Sequence, residues 1–597
     1  MNFFSELRRR NVFRVGIAYL IVAWLLLQVA DTLGPALRLP EWFQSGVVFV
    51  LILGFPFVLI FAWAFELTPE GLKREKEVDR GQSITGQTGQ KLNYTIIGLL
   101  LVAVLYLGLD KFAFEHDHEE QLTASNEPSI AVLPFANMSD DASNEFFADG
   151  ITEELLNLLA KIPELQVTSR TSAFQFKGRE VDIPTVAKQL NVEHVLEGSV
   201  RKSGMRVRIT AQLIDAETDR HVWSETYDRE LDDIFAVQDE IAREVVEVLQ
   251  VALLGEAPKS RKTDTEAYAL YLEGLHFLDL DRADDWPQAL ALFEQALEID
   301  PEYASAWFGR ARAIREIANW GDYDLDEGTE LARQWARHAL EIDPSLAEAW
   351  AMLGHLRMIY DWDWDGAQTL IDKALAVGPN NPVVLGEASI LAHIKGDMSG
   401  TLEYALAALE LDPLSNVRIR EAGLAHWFRG EHAEAEAYFR KNEALHGEDA
   451  WPGDVVAALL MQERYAEAEA ATDALAARDV EYFQRFIGAY TYAFVGRKDE
   501  AVANREWTIK ERGIPLGYQI AQIFTIHEDY EKAWEWLEIS YDNKDGGLTY
   551  LLVDPWLEPL HDDPRWRELL EKMNLLEYWE AMQTHQPAKE DAPGAPI

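Results

Sequence analysis

The chain has 597 residues, enough for several structural units, and contains no cysteine. Disulfides, zinc–thiolate sites and thiol nucleophiles are therefore excluded. A formal charge of −48 at pH 7 argues against nucleic acid as a partner, because phosphates attract lysine and arginine.

Three apolar segments near the N-terminus predict transmembrane helices over residues 15–33, 47–65 and about 94–110. The first two have 19 residues each, which is close to the roughly 20 residues that cross a bilayer. For the third segment, a buried helix is the alternative. Residues 1–112 are thus predicted to form a membrane region with three transmembrane helices.

Basic residues around these segments predict an orientation. Only Arg38 lies in the loop between the first two segments, whereas nine basic residues flank the other sides: Arg8, Arg9, Arg10, Arg14, Lys73, Arg74, Lys76, Arg80 and Lys91. Because basic loops stay in the cytoplasm, the soluble C-terminal region is predicted on the periplasmic side of a bacterial inner membrane. A polar linker, residues 113–127, follows; its His116 and His118 are read as solvated rather than metal-binding.

An α/β module is predicted over residues 128–255. The apolar run SIAVLPF is typical of a buried strand, and the next segment places Ile151, Leu155 and Leu158 on one helical face, with Asn144 or Asp149 as its cap. Further predicted elements are a strand at LQVTSR, a helix over 182–190, three antiparallel strands with turns at 202–204 and 216–219, and a closing helix from residue 234.

This module resembles the TolB amino-terminal-like domain. The resemblance is carried by IAVLPFANMSDDASNEFFADGITEELLNLLAKI, by TSRTSAFQFKG, and by VLEGSVRKSG followed by VRITAQLIDAETDRHVWSETYDRE. It implies a mixed-sheet module that makes protein contacts in the cell envelope, without catalysis. Asp149, Glu153 and Glu154 could serve as an acid/base group, but a structural role at a helix start is favoured, since negative charge offsets the helix dipole there.

A repeated pattern of small residues and proline follows. The twelve residues ALEIDPEYASAW at 296–307 recur as ALEIDPSLAEAW at 339–350. Four sets share the spacing, with their third members at Ala296, Ala339, Ala374 and Ala408. A period near 34 residues is typical of tetratricopeptide repeats (TPR), in which each helix pair needs its neighbours to bury its apolar faces.

The pattern predicts an all-α TPR solenoid over residues 265–575, with about eight helix pairs and a C-terminal cap in 554–575. The stretch ANWGDYDLDEG is predicted as an insertion between the two helices of one pair, and residues 583–597 as a disordered tail. Such solenoids usually bind protein or peptide partners; a spacer without a specific ligand is the alternative.

One stretch has the spacing of a calcium loop: Asp361, Asp363, Asp365, Gly366 and Asp372. Position 12 is aspartate instead of glutamate, and Ala367 and Ile371 are already needed in a repeat helix. A turn followed by a helix is therefore favoured over a metal site.

No catalytic motif is found, and His194, His221, His355 and His426 lie at ordinary strand or helix positions. The chain is predicted to be no enzyme, with no catalytic, cofactor-binding or metal-binding residue. The full predicted architecture resembles bacterial membrane proteins that combine these modules. Their cyclase or winged-helix output domains are not recognised in this sequence.

The leading hypothesis is a membrane-anchored scaffold that binds protein or peptide partners through the solenoid and the TolB-like module. A sensor that signals to a separate cytoplasmic effector is the second hypothesis. An enzyme with an unrecognised site is the third.

Overall fold

The computed structural model describes residues 128–139, 144–249, 262–279, 282–319, 323–475 and 481–585, together with a few residues nearer the N-terminus. The chain divides into two units, Met1–Ser125 and Asn126–Ile597. In the first unit, strands β1 (Phe65–Thr68) and β2 (Gly71–Arg74) form an antiparallel hairpin. The hydroxyl of Tyr19 also donates a hydrogen bond of 2.8 Å to the carbonyl of Leu51.

The predicted fold class is wrong in its membrane region. Nothing among the described residues is a helix with both the length and the apolar character that a bilayer crossing requires. The three predicted spans fall almost entirely outside those residues, and Phe65, the predicted end of the second span, lies in a strand. The described architecture is a small mixed-sheet module and a large helical region, and the periplasmic location stays a prediction.

The α/β module is built as its apolar patterns predict. Its strands are β3 (Ser129–Val132), β4 (Ala136–Asn137), β5 (Gln166–Val167), β6 (His194–Ser203), β7 (Arg206–Asp215) and β8 (Arg220–Glu230). Its helices are α1 (Glu145–Ala160), α2 (Arg170–Ala173), α3 (Ile183–Leu190) and α4 (Ile234–Val248). The predicted closing helix and the three long antiparallel strands are confirmed.

The sheet is mixed, in the order β5-β3-β6-β7-β8, with β4 also beside β6. Pairs β3–β5, β3–β6 and β4–β6 are parallel, while β6–β7 and β7–β8 are antiparallel. Helices α1 and α4 supply buried apolar residues to a core shared with strands β6 and β7. Asp182 caps α3 by accepting from the backbone N–H of Thr185 at 2.9 Å.

The helical region is a TPR-like solenoid. Eight successive helix pairs are described between Thr265 and Asp542, the number that the repeat spacing predicts. They are α5 (Thr265–Asp279) with α6 (Trp286–Ile299), α7 (Ala304–Asn319) with α8 (Leu325–Ile342), α9 (Ala347–Leu356) with α10 (Trp364–Val377), α11 (Pro382–Ile394) with α12 (Met398–Leu411), α13 (Asn416–Phe428) with α14 (His432–His446), α15 (Pro452–Met461) with α16 (Tyr465–Leu475), α17 (Glu481–Phe494) with α18 (Lys498–Glu511), and α19 (Gly517–Ile526) with α20 (Tyr530–Asp542).

Small buried side chains let the two helices of each pair approach closely. Ala296, Ala339, Ala374 and Ala408 are all completely buried. The repeated tryptophans occupy the predicted junctions: Nε1 of Trp307 donates to the carbonyl of Pro301 at 2.9 Å, and Trp350 makes the same bond to Pro344 at 3.0 Å. Each of the two near-identical stretches therefore forms the same hydrogen bond from its tryptophan to its proline carbonyl.

The α/β module packs on the solenoid at two buried places, and Nδ2 of Asn380 also donates to the carbonyl of Pro163 at 2.8 Å. Helix α1 meets α5 at Gly150, where a Cβ atom would lie 2.5 Å from Leu272, and one continuous core joins the module to the first two helix pairs. At the second place, the hydroxyl of Ser172 donates to Asp412 at 2.6 Å and accepts from the backbone N–H of Leu414 at 2.9 Å. The module is therefore held by buried contacts with residues far away in sequence.

The C-terminal segment, residues 546–585, crosses several helix pairs. It contains two 3-10 helices, Gly546–Tyr550 and Pro555–Leu560, and helices α21 (Pro564–Lys572) and α22 (Leu576–His585). It covers the last pair, where the rings of Trp534 and Trp566 lie 6.5 Å apart. It also reaches the third pair, where Nε1 of Trp364 donates to the carbonyl of Met573 at 2.8 Å. Helix α22 extends into the predicted tail, whose residues 586–597 lie outside the described part.

Candidate functional site

The first helices of successive pairs form one surface, called here the first-helix face. Across pairs two to five it carries a row of charged side chains, called here the polar strip: Arg315, His355, Glu387, Arg418 and Glu421. Their side chains are 13 to 28% exposed. They are thus partly shielded from water and still accessible.

The polar strip is internally paired. Nδ1 of His355 lies 2.9 Å from Oε2 of Glu387, and Nη1 of Arg418 donates to Glu421 at 2.5 Å. Gly386 makes room for the arginine, since a Cβ atom there would lie 1.6 Å from Nη1 of Arg418. Burial raises the pKa of Glu387, but the charges of His355, Arg315 and Arg418 outweigh it and hold the pKa below its usual value. These charges therefore interact across neighbouring helix pairs.

Next to the polar strip, the first-helix face forms a cavity of about 170 Å³, called here the aromatic cavity. Helices α13, α15, α17 and α19 supply most of its wall, the C-terminal segment adds Tyr550, Asp554 and Trp556, and Phe439 of α14 and Trp451 before α15 complete it. The other aromatic residues that line it are Trp427, Phe428, Phe486, Tyr490 and Tyr518. The cavity therefore exists only because the C-terminal segment packs over four first helices.

Two buried carboxylates lie in this wall. Asp454 accepts from Arg420 at 2.6 Å and 3.1 Å, a bidentate ion pair. Asp554 accepts only from neutral donors: the hydroxyl of Tyr518 at 2.7 Å, Nε2 of Gln522 at 2.5 Å and the backbone N–H of Trp556 at 2.9 Å. Burial raises the pKa of both carboxyl groups.

Some polar atoms at the cavity lack a partner. Nε1 of Trp427, Nε1 of Trp556 and Oε1 of Gln519 are buried and have no hydrogen bond within the described structure. Trp427 is 7% exposed, and its ring meets that of Trp556 edge-on at 5.7 Å. Because buried polar groups are normally satisfied, these three atoms mark the cavity as a place where a ligand could bind.

The three carboxylates singled out in the α/β module do not lie at the helix start. Helix α1 begins at Glu145, so Asp149 lies in its second turn, where it pairs with Lys177 at 2.6 Å. Glu153 pairs with Arg170 at 3.1 Å. Burial raises the pKa of Glu154 to about 7, against a smaller opposing effect of Lys161. Of the two predicted cap residues, Asn144 occupies the N-cap position and Asp149 lies inside the helix.

The stretch with calcium-loop spacing is a helix start. Asp363 caps α10 by accepting from the backbone N–H of Gly366 at 2.9 Å. Asp361 pairs with Arg333 at 2.6 Å, Asp365 accepts from Tyr578, and Asp372 accepts from Gln368. Within the described ranges, no cluster of three or more histidine, aspartate or glutamate side chains could hold a metal ion.

The histidines named in the sequence are dispersed. His194 and His221 lie in β6 and β8, and His426 contacts Glu431 at 2.7 Å. Only His355 belongs to the polar strip, while His116 and His118 lie outside the described residues. Sequence reasoning missed the aromatic cavity altogether. Its signal was faint: aromatic residues recur along the first helices and again in the segment DPWLEPL.

Comparison with known proteins adds a family match for the α/β module. Residues 125–244 match the model described as the HilA/YgeH-like transcriptional regulator, second domain. This is a different description from the TolB resemblance, which stays a prediction. A curated protein of Rhizobium meliloti (strain 1021), named "Putative adenylate cyclase 3", is 47% identical over 183 residues. The match covers 30% of this chain and 31% of that protein, so the chain spans about a third of the relative's length.

Solved structures of repeat proteins are also similar. Human IFIT1 aligns over 52% of this chain and 77% of its own, with 15% identity and a TM-score of 0.36. Pseudomonas aeruginosa PilF covers 34% of this chain and 91% of its own, with 22% identity and a TM-score of 0.28. A thermophilic TPR protein of Thermus thermophilus covers 34% and 98%, with 19% identity and a TM-score of 0.26.

Proposed function

We propose that the chain is a protein-interaction scaffold whose TPR-like solenoid binds a protein or an extended peptide along the polar strip. The observation that carries the proposal is the row of partly exposed charges, each held in an ion pair, on the first helices of four successive pairs. A partner can exchange hydrogen bonds with such groups while it remains in contact with several repeats. Solenoids use extended surfaces of this kind for binding.

The α/β module contributes a second contact surface in this proposal. Helix contacts and the Ser172–Asp412 hydrogen bond hold it against the solenoid, so a partner would meet both surfaces at a fixed spacing. The TolB resemblance implies protein contacts for this module. Catalysis is no part of the proposed function.

Site-specific photo-crosslinking tests the proposal. A crosslinking amino acid replaces Glu316, which accepts a hydrogen bond from Arg315 in the polar strip. The matched control replaces Glu341 on the second helix α8, whose side chain is 74% exposed. We expect a discrete crosslinked product from position 316 in native cells and none from position 341.

A conservative variant of the polar strip completes the test. Glu421→Gln keeps the size of the side chain but removes the charge that pairs with Arg418. It should reduce the product at position 316 several-fold while the circular dichroism spectrum stays unchanged. Equal products from both positions, or none from a folded chain, would contradict the scaffold function.

A regulatory role is the second candidate. The observation that favours it is the pair of names found by comparison, a transcriptional regulator for the module and an adenylate cyclase for the relative. In this role the chain would bind a signal and act on a separate effector. Deleting the chain in its native host should then change cyclic-AMP levels or transcription, and a deletion that changes neither would exclude this role.

A further inference from the structure

We propose that the aromatic cavity binds a small organic ammonium group. This inference goes beyond the scaffold function, because it requires no protein partner. It is drawn from the size of the cavity, its charge, its aromatic wall and its unpartnered polar atoms. Each of these observations points to the same ligand chemistry.

The size of the cavity limits the ligand to a small molecule or one side chain. Its volume is about 170 Å³, and an apolar cavity of about 150 Å³ is known to hold benzene. A ring or a short aliphatic stem with one charged group therefore fits. A folded protein element does not.

The charges of the described wall residues favour a cation. Nε and Nη2 of Arg420 donate to Asp454, whereas the carboxylate of Asp554 has hydrogen bonds from neutral donors only. A buried ionised carboxylate without a counter-charge is costly. A cation bound beside Asp554 would supply that charge.

The aromatic wall favours an organic cation over a metal ion. The rings of Tyr490 and Trp556 lie 5.1 Å apart, and Trp427 meets Trp556 at 5.7 Å. Aromatic faces attract ammonium groups and also bury an apolar stem. Metal ions prefer a set of oxygen or nitrogen ligands, and no cluster of three or more His, Asp or Glu side chains that could supply one is found among the described residues.

The unpartnered atoms match an amine that also carries an acceptor. Oε1 of Gln519 is a buried acceptor without a donor, and an ammonium group has three donors and no acceptor. Nε1 of Trp427 and Nε1 of Trp556 are buried donors without an acceptor. A hydroxyl or carbonyl oxygen on the ligand's stem would accept from them.

Calorimetric titration of the full chain with three probes of one size tests the proposal. Benzylammonium, benzyl alcohol and benzoate share a ring but carry different charges. We expect benzylammonium to bind at least tenfold more tightly than either of the others. Equal affinity for all three probes, or no binding of benzylammonium to the folded chain, would overturn the inference.

Two variants assign the binding to the cavity. Asp554→Asn should reduce the preference for benzylammonium over benzyl alcohol to about onefold. Ala457→Leu, which fills the cavity from α15, should abolish binding of benzylammonium, whereas Ala466→Leu, on an exposed position of α16, should not. Unchanged binding by Ala457→Leu would overturn the inference even if Asp554→Asn fails to fold.

The last arm distinguishes two sources of the ammonium group. A lysine capped at both ends is titrated beside free benzylammonium. If both bind and compete, the group belongs to a lysine of a bound partner; if only benzylammonium binds, the ligand is a free amine. Both results support the ammonium site, and neither depends on the crosslinking result.

Discussion

The polar strip and the aromatic cavity are two halves of one surface, and their side chains are shielded from water in different ways. The polar strip pairs His355 with Glu387 across two helix pairs and Arg418 with Glu421 within α13, and it keeps these charges partly exposed. The aromatic half is covered by the C-terminal segment, which buries Trp566 and packs Tyr550 on His393. Paired charges tolerate water, whereas large apolar rings gain free energy when another element removes them from it.

The comparison teaches that a repeat solenoid can differ along its length without a change in the repeat itself. The helix pairs and their buried alanines continue through both halves. What changes is the chemistry of the first-helix face. Substitutions in each half test this division, from the largest expected effect to the smallest.

Trp566→Ala should lower the free energy of unfolding by about 3–5 kcal/mol, since it empties a fully buried site in the C-terminal segment. Urea denaturation followed by circular dichroism measures the change. The control Arg567→Ala, at a side chain that is 61% exposed, should cost less than about 1 kcal/mol. Similar losses of unfolding free energy in both variants would show that the fold does not need the C-terminal segment to cover this half.

His393 makes the covered half sensitive to acid. Burial lowers its pKa to about 3 from the ordinary 6.5. Between these two pKa values, the unfolded chain binds a proton at His393 and the folded chain does not. The contribution of neutral His393 to the free energy of unfolding is therefore fully present above pH 6.5 and is lost as the pH falls towards 3. The loss should be roughly 1.4 kcal/mol per pH unit, about 2 kcal/mol between about pH 6.5 and 5.

His393→Phe should remove this part of the pH dependence. Thermal or urea unfolding at about pH 7 and pH 5 measures it as the difference between variant and wild type. The exposed control His338→Phe should leave the dependence unchanged. If His393→Phe kept the wild-type dependence of the unfolding free energy on pH, the assignment of this dependence to His393 would be contradicted.

Glu387→Gln tests the polar strip. The lowered pKa of Glu387 means that its charge stabilises the fold above the ordinary pKa of 4.5, and that this stabilisation is lost as the pH falls through the lower folded value. The variant should cost about 1–2 kcal/mol at neutral pH, because it weakens the contact with His355. Glu341→Gln is the exposed control, and a cost that stays undiminished well below pH 4.5, where Glu387 is protonated, would refute the explanation.

Trp350→Phe gives a reference value for the cost of losing one hydrogen bond in the repeats, with which the effects in both halves can be compared. It removes the hydrogen bond to Pro344, at a cost of about 1 kcal/mol, and replaces the ring over which Nζ of Lys373 lies. Trp307→Phe should cost the same within about 0.5 kcal/mol, because it removes the equivalent bond to Pro301 and replaces the ring beside Arg310. A difference larger than that, measured by urea denaturation, would mean that the two repeats are not equivalent.

The amino-acid pattern alone was sufficient for the local features. Alanine spacing predicted the helix pairs, and the alternation after residue 194 predicted the three antiparallel strands. Hydropathy was misleading at the N-terminus, where it predicted spans that no described helix supports. Periodic patterns are informative where neighbouring residues pack on each other, and less so where the length of an apolar run is the only signal.

The sequence determined the repeats because each helix pair packs against its immediate neighbours. The aromatic cavity and the docking of the α/β module were decided only by the tertiary structure, since they join residues such as Trp364 with Met573 and Ser172 with Asp412. These partners lie 209 and 240 positions apart in the chain. Contacts over such distances depend on where the intervening repeats carry the chain, and no local pattern encodes that path.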